Sequence, residues 1–332
     1  MTKNVTALAA SLLLLASCTE EVPVNPGSGD AIAFGTVSTT RGAVTSADQI
    51  TDFKVYAKKF PTGSVDLQQV SDVFYPNIVQ TVTKQDNGTW TYPDQAYWLN
   101  GNTYSFLSLY PSSVEATNVV ELDNGNIAHY LTISGYQVGK DEDLMMGVNH
   151  GIDVVKDVTP GTVDVQFQHL LSQVDFVVKA DAETVAMVGA VKVTSAKFYG
   201  THATGDYSGK TFTTTGADKG TWTLTGNVTT VDNPTAENSI AEVPTGGVSL
   251  FGKSFILFPA KEPAKVVLTY TIGTDPTELT YEQDLSLLTP LGWEAGKSYR
   301  YTITIVDKEH ILFDVPTVQP WSKGTGGIII VE

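Results

Sequence analysis

The chain has almost no cysteine, since Cys18 is the single one among its 332 residues. One cysteine cannot form an internal disulfide or a metal site built from several thiolates. If the Cys18 sulfur is covalently modified, a cysteine nucleophile is excluded as well. Burial of apolar side chains must therefore hold the fold together, and the chain is long enough for two domains with sizeable cores.

Arginine is nearly as rare, because lysine supplies all but two of the 20 basic residues. Arg300 stands between Tyr299 and Tyr301 in a predicted strand, where a protease cannot extract the extended segment that it needs. Arg41 lies among small residues and is followed by Gly42. An arginine-specific protease would thus have one practical site, between Arg41 and Gly42. The alternative is compositional drift, with Arg41 an ordinary surface residue.

Positive charge is in deficit, with a formal net charge of −16. This balance argues against nucleic acid as a partner and against binding to an anionic membrane surface, because both would repel the chain.

Catalytic motifs are lacking too, since HExxH, GxSxG, P-loop and GxGxxG patterns do not occur. No histidine has another histidine or a cysteine at i+2 or i+4. The sequence therefore predicts no enzyme, no metal and no cofactor.

His169 between apolar neighbours is predicted to be a hydrogen-bonded core residue. The acidic run at residues 141–143 lacks EF-hand spacing and is predicted to be a solvated loop. The five histidines are His129, His150, His169, His202 and His310.

The amino terminus has the pattern of a signal peptide, with Lys3 followed by an apolar run over residues 5–16 that is too short to span a bilayer. The run ends in Leu-Ala-Ser before Cys18, which resembles the bacterial lipobox. Residues 1–17 would be removed, and the Cys18 sulfur would carry diacylglycerol, with palmitate among the acyl chains. A secretory peptide with an incidental cysteine is the alternative. Residues 19–30 are rich in Pro, Gly and acid, and so predict a flexible tether.

From residue 31 onward the apolar residues alternate with period two, which predicts strands with one buried face. Helical periodicity is confined to short stretches at 183–188 and 282–288. Many short strands separated by Gly, Pro, Asn and Asp predict an all-β chain of sandwich domains. The alternating positions are Ile32 and Phe34; Phe53, Val55 and Ala57; Val163, Val165 and Phe167; Val174, Phe176 and Val178; Val266, Leu268, Tyr270 and Ile272; and Tyr299, Tyr301, Ile303 and Ile305.

A faint internal repeat links residues 98–106 with residues 293–301. Each segment has a Trp, a Gly three residues later, a Tyr three beyond that, and another aromatic two beyond. This order predicts a Trp packed at a strand end, a Gly with positive φ in the turn, and a strand whose alternate aromatics face the core. A sugar-stacking platform is the alternative interpretation of these aromatics.

Together these features resemble the fimbrillins of Bacteroidetes, which include FimA- and Mfa-type pilins and fimbrillin-like lipoproteins. The resemblance runs through nearly the whole chain. It rests on the lipobox at Cys18, the short strand Ile32-Ala-Phe34 before Arg41, Tyr97-Trp98 leading to Tyr104-Ser-Phe106 and Tyr110-Pro111, Asp143-Leu-Met, residues 167–176, Trp293 to Tyr301 and a closing apolar strand.

The resemblance implies two transthyretin-like β-sandwich domains with Greek-key antiparallel sheets. It also implies export as an outer-membrane lipoprotein to the cell surface, cleavage after Arg41 by a gingipain-like protease, and polymerisation with other subunits by donor-strand exchange. The strand matching the donor is Ile328-Ile329-Ile330-Val331. Glycines just before it could form a hinge, or a simple turn before a strand that stays in its own domain.

We therefore expect a signal peptide at 1–17, a lipidated tether and removable strand at 18–41, and sandwich domains at 42–158 and 159–332, the latter ending in the candidate donor strand 328–332. The expected function is that of a stalk-type pilin supporting adhesion. A tip or anchor subunit, or a monomeric surface lipoprotein that binds glycans, are the alternatives.

Overall fold

The fold is taken from a computed structural model of the full chain. It describes residues 30–39, 50–64, 66–123, 126–139, 142–156, 158, 160–211 and 220–321.

The first half of the described chain consists of strands. They are β1 (Phe34–Thr39), β2 (Asp52–Pro61), β3 (Ser71–Asp72), β4 (Val79–Lys84), β5 (Trp90–Thr91), β6 (Asn102–Tyr110), β7 (Thr117–Asp123), β8 (Asn126–Gln137), β9 (Met145–Val154) and β10 (Val163–His169). A 3-10 turn lies at Leu67–Gln69.

The second half adds twelve strands and the one α-helix of the described residues. The strands are β11 (Ser172–Ala180), β12 (Val191–Tyr199), β13 (His202–Thr211), β14 (Thr221–Val228), β15 (Ala236–Ile240), β16 (Val248–Ser249), β17 (Phe255–Leu257), β18 (Lys265–Ile272), β19 (Leu279–Asp284), β20 (Lys297–Ile305), β21 (Ile311–Phe313) and β22 (Thr317–Pro320). Helix α1 is Ala182–Val188, and a second 3-10 turn is Leu285–Leu287.

The first half is built on an eight-stranded sheet in the order β1-β10-β9-β6-β2-β4-β5, with β3 on the flank of β2. Aromatic and aliphatic side chains of this sheet form one continuous core that includes Val163 and Phe167 of β10. Strand β10 therefore packs with the first half. The proposed domain boundary at residues 158 and 159 would separate β10 from its partners, so we now propose the boundary after His169.

The second half places two sheets against each other. One has the order β16-β11-β20-β21, with β17 on β11 and β22 on β20, and the other has the order β15-β12-β18-β19. Alternate residues of β11 and β18 are buried between them, as the period-two pattern predicts. Helix α1 is capped by Asp181, whose carboxylate accepts from the backbone N of Glu183 and Thr184.

A fourth sheet joins the two halves, in the order β14-β13-β8-β7. Here β8 from the first half pairs antiparallel with β13 from the second. Beneath it lies a third core cluster, which contains Leu131 and Leu144 from the first half and Phe258 and Trp321 from the second. The two halves thus share both a sheet and a core.

The two repeat segments adopt the same local geometry. The backbone N of Leu99 donates to the Tyr104 hydroxyl over 2.8 Å, and that of Glu294 donates to the Tyr299 hydroxyl over 2.9 Å. The glycines between them, Gly101 and Gly296, have φ of 75° and 71°, which a side chain would disfavour. The predicted turn and core roles are confirmed in both segments.

The all-β prediction is confirmed, and the strongest period-two segments correspond to β2, β10, β11, β18 and β20. Two pairings, β1 with β10 and β11 with β20, are parallel rather than antiparallel. The transthyretin-like topology stays a prediction. No helix among the described residues is long and apolar enough to cross a membrane.

Candidate functional site: the first strand and its groove

The residues predicted to carry function lie near the two ends of the chain and in the gap between residues 39 and 50. Cys18, Arg41, Gly42 and the strand Ile328-Ile329-Ile330-Val331 all lie outside the described residues. What the structure does place is the segment between two of these predicted sites, residues 30–39, together with the surface that receives it. We call that surface the β1 groove; it is lined by β10, residues 92–98 and the aromatic core of the first sheet.

Two side chains of the segment are buried in the β1 groove, while the alternate residues Ala31 and Ala33 are exposed. Ile32 is 1% exposed and Phe34 is 4% exposed. The Phe34 ring makes edge-to-face contacts with Phe53 at 5.8 Å and Phe106 at 6.1 Å between centroids. Burial of one such side chain stabilises a fold by roughly 1.5–3 kcal/mol.

The backbone of this segment is hydrogen-bonded on both sides. On one side, the N of Ile32 donates to Ala96 O over 2.9 Å, and the N of Trp98 donates to Asp30 O over 3.0 Å. On the other side, the N of Val163 donates to Ala33 O over 2.8 Å, and β1 continues as a parallel partner of β10. The segment therefore closes the first sheet, and its removal would leave two unpaired backbone edges.

One carbonyl of the segment receives two side-chain donors. The Tyr92 hydroxyl donates to Ile32 O over 2.8 Å, and Gln95 Nε2 donates to the same oxygen over 3.0 Å. Gln95 Nε2 also lies 2.8 Å from the Tyr92 hydroxyl. Burial raises the pKa of Tyr92 to about 12, so this phenol stays protonated and able to donate at any physiological pH.

The fit of β1 itself is imperfect. Its register with β10 shifts between Phe34 and Val37, and parallel pairing is slightly weaker per residue than antiparallel pairing. Gly35 sits in the irregular stretch, where a Cβ would lie 2.2 Å from Thr162 Oγ1 and 2.4 Å from Asp164 Oδ1. Only glycine fits there without movement of these side chains.

A second buried cluster was missed by sequence reasoning. His169 Nδ1 is bonded to Asp143 Oδ2, and both residues are buried. The prediction of a hydrogen-bonded core histidine is confirmed. The prediction of a solvated acidic loop is wrong for Asp143, because its carboxylate turns inward to that histidine, while Glu142 is exposed. Among the described residues, no group of three or more His, Cys, Asp or Glu side chains could hold a metal ion.

Comparison with known proteins places this geometry in context. Residues 36–321 match the family model described as fimbrillin-like. A solved fimbrial protein from Bacteroides vulgatus is 17% identical, covers 88% of this chain and 99% of its own, and superposes with a TM-score of 0.55. A fimbrial assembly protein from Parabacteroides distasonis is 14% identical, covers 87% and 99%, and has a TM-score of 0.40. The first likeness shows a shared fold. No curated protein matches the chain.

Proposed function

The chain belongs to the fimbrillin-like family, and on that premise we propose that it is a structural subunit of a bacterial surface fimbria. Proteolysis after Arg41 frees its first strand, and a strand from a neighbouring copy takes the vacated place. The observation that supports this most directly is the segment at residues 30–39. Its side chains Ile32 and Phe34 are buried, and its covalent link to the rest of the fold runs through residues 40–49.

A cut after Arg41 would leave β1 bound without a covalent link. The strand ends at Thr39, and the described chain resumes at Ile50, which is fully buried. Before the cut, the covalent link through residues 40–49 holds β1 at a high effective concentration, of the order of millimolar for a short linker. After the cut, β1 can dissociate and be diluted. The empty β1 groove then has unpaired backbone edges and an apolar floor, and it favours any strand that fits.

The other arginine is protected by the fold. Arg300 lies in the middle of β20, paired with Asp175 of β11 on one side and Thr317 of β22 on the other. Its Nε also donates to Asp175 Oδ2 over 2.8 Å. A protease must bind its substrate as an extended, unpaired segment, so cleavage at Arg300 requires local unfolding. This supports Arg41 as the single practical site.

The donor we propose is the strand Ile328-Ile329-Ile330-Val331 of a neighbouring copy. It supplies aliphatic side chains at the spacing of two that the Ile32 and Phe34 pockets require. Residues 322–327 precede it and can span at most about 20 Å when fully extended. A donor on one copy and a groove on the next make a head-to-tail contact, which propagates into a filament rather than closing as a dimer.

Arg41→Lys tests this mechanism, with Arg300→Lys as the matched control. Full-length protein is incubated with an arginine-specific protease, and the products are run on gels without boiling. We expect wild type and Arg300→Lys to shorten and to form ladders, while Arg41→Lys stays long and monomeric. Ladders of wild-type intensity from Arg41→Lys would refute activation at this site. Shortened wild-type protein that never assembles would refute strand exchange.

For the route to the surface, we propose lipidation at Cys18 and outer-membrane anchoring through that lipid. Cys18→Ser should abolish acyl labelling and membrane fractionation, and unchanged labelling would contradict the assignment. A cleavable arginine after the tether favours a stalk subunit, which must be released, over an anchor. The glycan-binding alternative gains no support, because the aromatics considered for a sugar platform, such as Trp98 and Trp293, are buried.

A further inference from the structure

The Ile32 carbonyl is a point in the β1 groove where two side chains bond the backbone of the segment at residues 30–39. Tyr92 and Gln95 converge on it from the loop after β5. The loop is braced internally, because the backbone N of Ala96 donates to the Tyr92 hydroxyl over 3.3 Å and Gln95 Nε2 lies 3.2 Å from Ala96 O. Both donors are thus held in place whether or not a carbonyl is present.

We propose that Tyr92 and Gln95 form a carbonyl clamp that binds the incoming strand of a second copy and fixes its register. The inference rests on the proposed strand exchange and extends it, by naming the residues that recognise the donor. A backbone carbonyl is common to every residue, so the clamp accepts a strand of different sequence from β1. Selectivity for side chains is left to the two pockets beside it.

The clamp fixes register because it lies directly above the first pocket. It bonds the carbonyl of Ile32, whose own side chain fills that pocket, and the second pocket takes Phe34, two residues later. A strand shifted by one residue would present its carbonyl on the opposite edge, away from Tyr92 and Gln95. Pockets alone discriminate weakly among a run of similar aliphatic residues, as in Ile328 to Val331. The clamp adds a hydrogen-bonding position that the carbonyl of the bound strand must reach.

The clamp also favours exchange over an empty groove. Tyr92 is half-buried, and its hydroxyl loses its acceptor when β1 leaves. A partly buried donor without an acceptor is unfavourable. A new strand whose carbonyl reaches the same position restores the bond. Exposure of Gln95 to solvent keeps the site open from outside.

The test uses full-length protein, cut after Arg41 in the presence of a fluorescent peptide with the sequence of residues 322–332. Anisotropy gives the peptide affinity and its dissociation rate for wild type, Tyr92→Phe and Gln95→Leu. Tyr199→Phe is the matched control, because that hydroxyl also donates to a single acceptor, Glu282 Oε2 at 2.8 Å, but lies in the second half. We expect each clamp variant to bind about threefold to tenfold more weakly, through faster dissociation, and Tyr199→Phe to bind as wild type does.

A purely structural role is separated by a second readout, the melting temperature of the cut protein without peptide. Once the freed first strand has been removed, the clamp has no carbonyl to bind, so the variants should melt at or above the melting temperature of wild type. Gln95→Asn, which shortens an exposed side chain by one carbon, serves if Gln95→Leu fails to fold. Equal peptide affinity in wild type and clamp variants would overturn the clamp while strand exchange stands. Failure of the peptide to bind cut wild-type protein would overturn both.

Discussion

Trp321 stacks on His169, with ring centroids 4.4 Å apart and ring planes 22° from parallel. Both residues are buried, and the backbone N of Trp321 donates to Gly296 O over 2.9 Å. His169 ends β10 of the first half, whereas Trp321 follows β22 of the second. The stack therefore fixes Trp321, the residue immediately before residues 322–332, in the core that the two halves share.

Trp321→Ala should lower the free energy of unfolding of the uncut monomer by about 3–5 kcal/mol, because it leaves a large cavity in a shared core. It should also reduce assembly, although the proposed donor strand is unchanged. Urea unfolding and unboiled gels measure the two effects. Val318→Ala is the control: this residue of β22 is 46% exposed, and we expect both properties to stay near wild type. A Trp321→Ala monomer as stable as wild type would contradict an anchoring role.

Phe34→Ala should destabilise the uncut chain by about 3–5 kcal/mol, since the ring packs edge-to-face against Phe53 and Phe106. The exposed neighbour Ala33 provides the control as Ala33→Ser, which should change stability little. After cleavage, the Phe34→Ala strand should dissociate faster and assembly should begin sooner. Slower assembly with a weakened first strand would argue that departure of β1 is not part of the pathway.

Acid should destabilise the fold through His129. This imidazole is buried, with Nε2 lying 2.8 Å from Ser105 Oγ and Nδ1 lying 3.2 Å from Asn118 Oδ1. Burial, with His150 and Lys58 nearby, lowers the pKa of His129 to about 3. The folded pKa lies below the unfolded value, so the neutral form stabilises the fold above pH 6.5. That stability is lost as the pH falls from 6.5 towards 3.

A loss of about 2 kcal/mol from this group is expected between pH 7.5 and pH 5. Urea unfolding at both pH values measures it. His129→Gln should flatten the pH dependence, whatever it does to stability at pH 7.5. His310→Gln should not reduce the acid loss, because His310 is exposed and pairing with Asp307 raises its pKa, so this imidazole favours the fold at low pH. An equal acid loss in His129→Gln and wild type would exclude His129 as the cause.

The sequence predicted where the strands lie better than which strands pair with each other. Alternation marks β11 or β18 because burial of one face is a local property of each strand. The helical stretch at 183–188 is confirmed by α1, whereas 282–288 became the end of β19 and a 3-10 turn. Pairing of β8 with β13 depends on tertiary packing between distant segments, which no local pattern encodes.

The same limit applies to the site. Ile32 and Phe34 were predicted to form a short strand from their alternation alone; both side chains are buried, but the strand begins at Phe34 and runs to Thr39. Tyr92 was missed because the carbonyl to which its hydroxyl donates is 60 residues away in sequence. Asp143 was assigned to solvent because its charge run looks solvated, and the partner that draws it inward, His169, lies 26 residues further on. Local charge predicts exposure well only where no buried partner is available.

The shared sheet predicts unequal behaviour of the two halves when they are expressed separately. A fragment of residues 30–169 retains β7 and β8 but loses β13, against which β8 pairs. A fragment of residues 170–321 retains the whole core between its two sheets, whose members run from Val174 to Phe313. It also retains the hydrogen bond that Trp222 Nε1 donates to Leu170 O over 3.0 Å, because both residues lie within it.

We therefore expect residues 170–321 to fold alone, with backbone amides of β18 and β20 protected from hydrogen exchange and those of β13 exchanging freely. Residues 30–169 should be unfolded or aggregated, because β8 would become an exposed edge over an uncovered apolar face. Mixing the fragments should restore protection in β13, since pairing with β8 is then possible again. A first fragment that melts as cooperatively as the full chain would mean that the shared sheet joins two independent domains. Protection of β13 without its partner would mean that the β13–β14 hairpin is stable on its own, against the expectation for an isolated two-stranded ribbon.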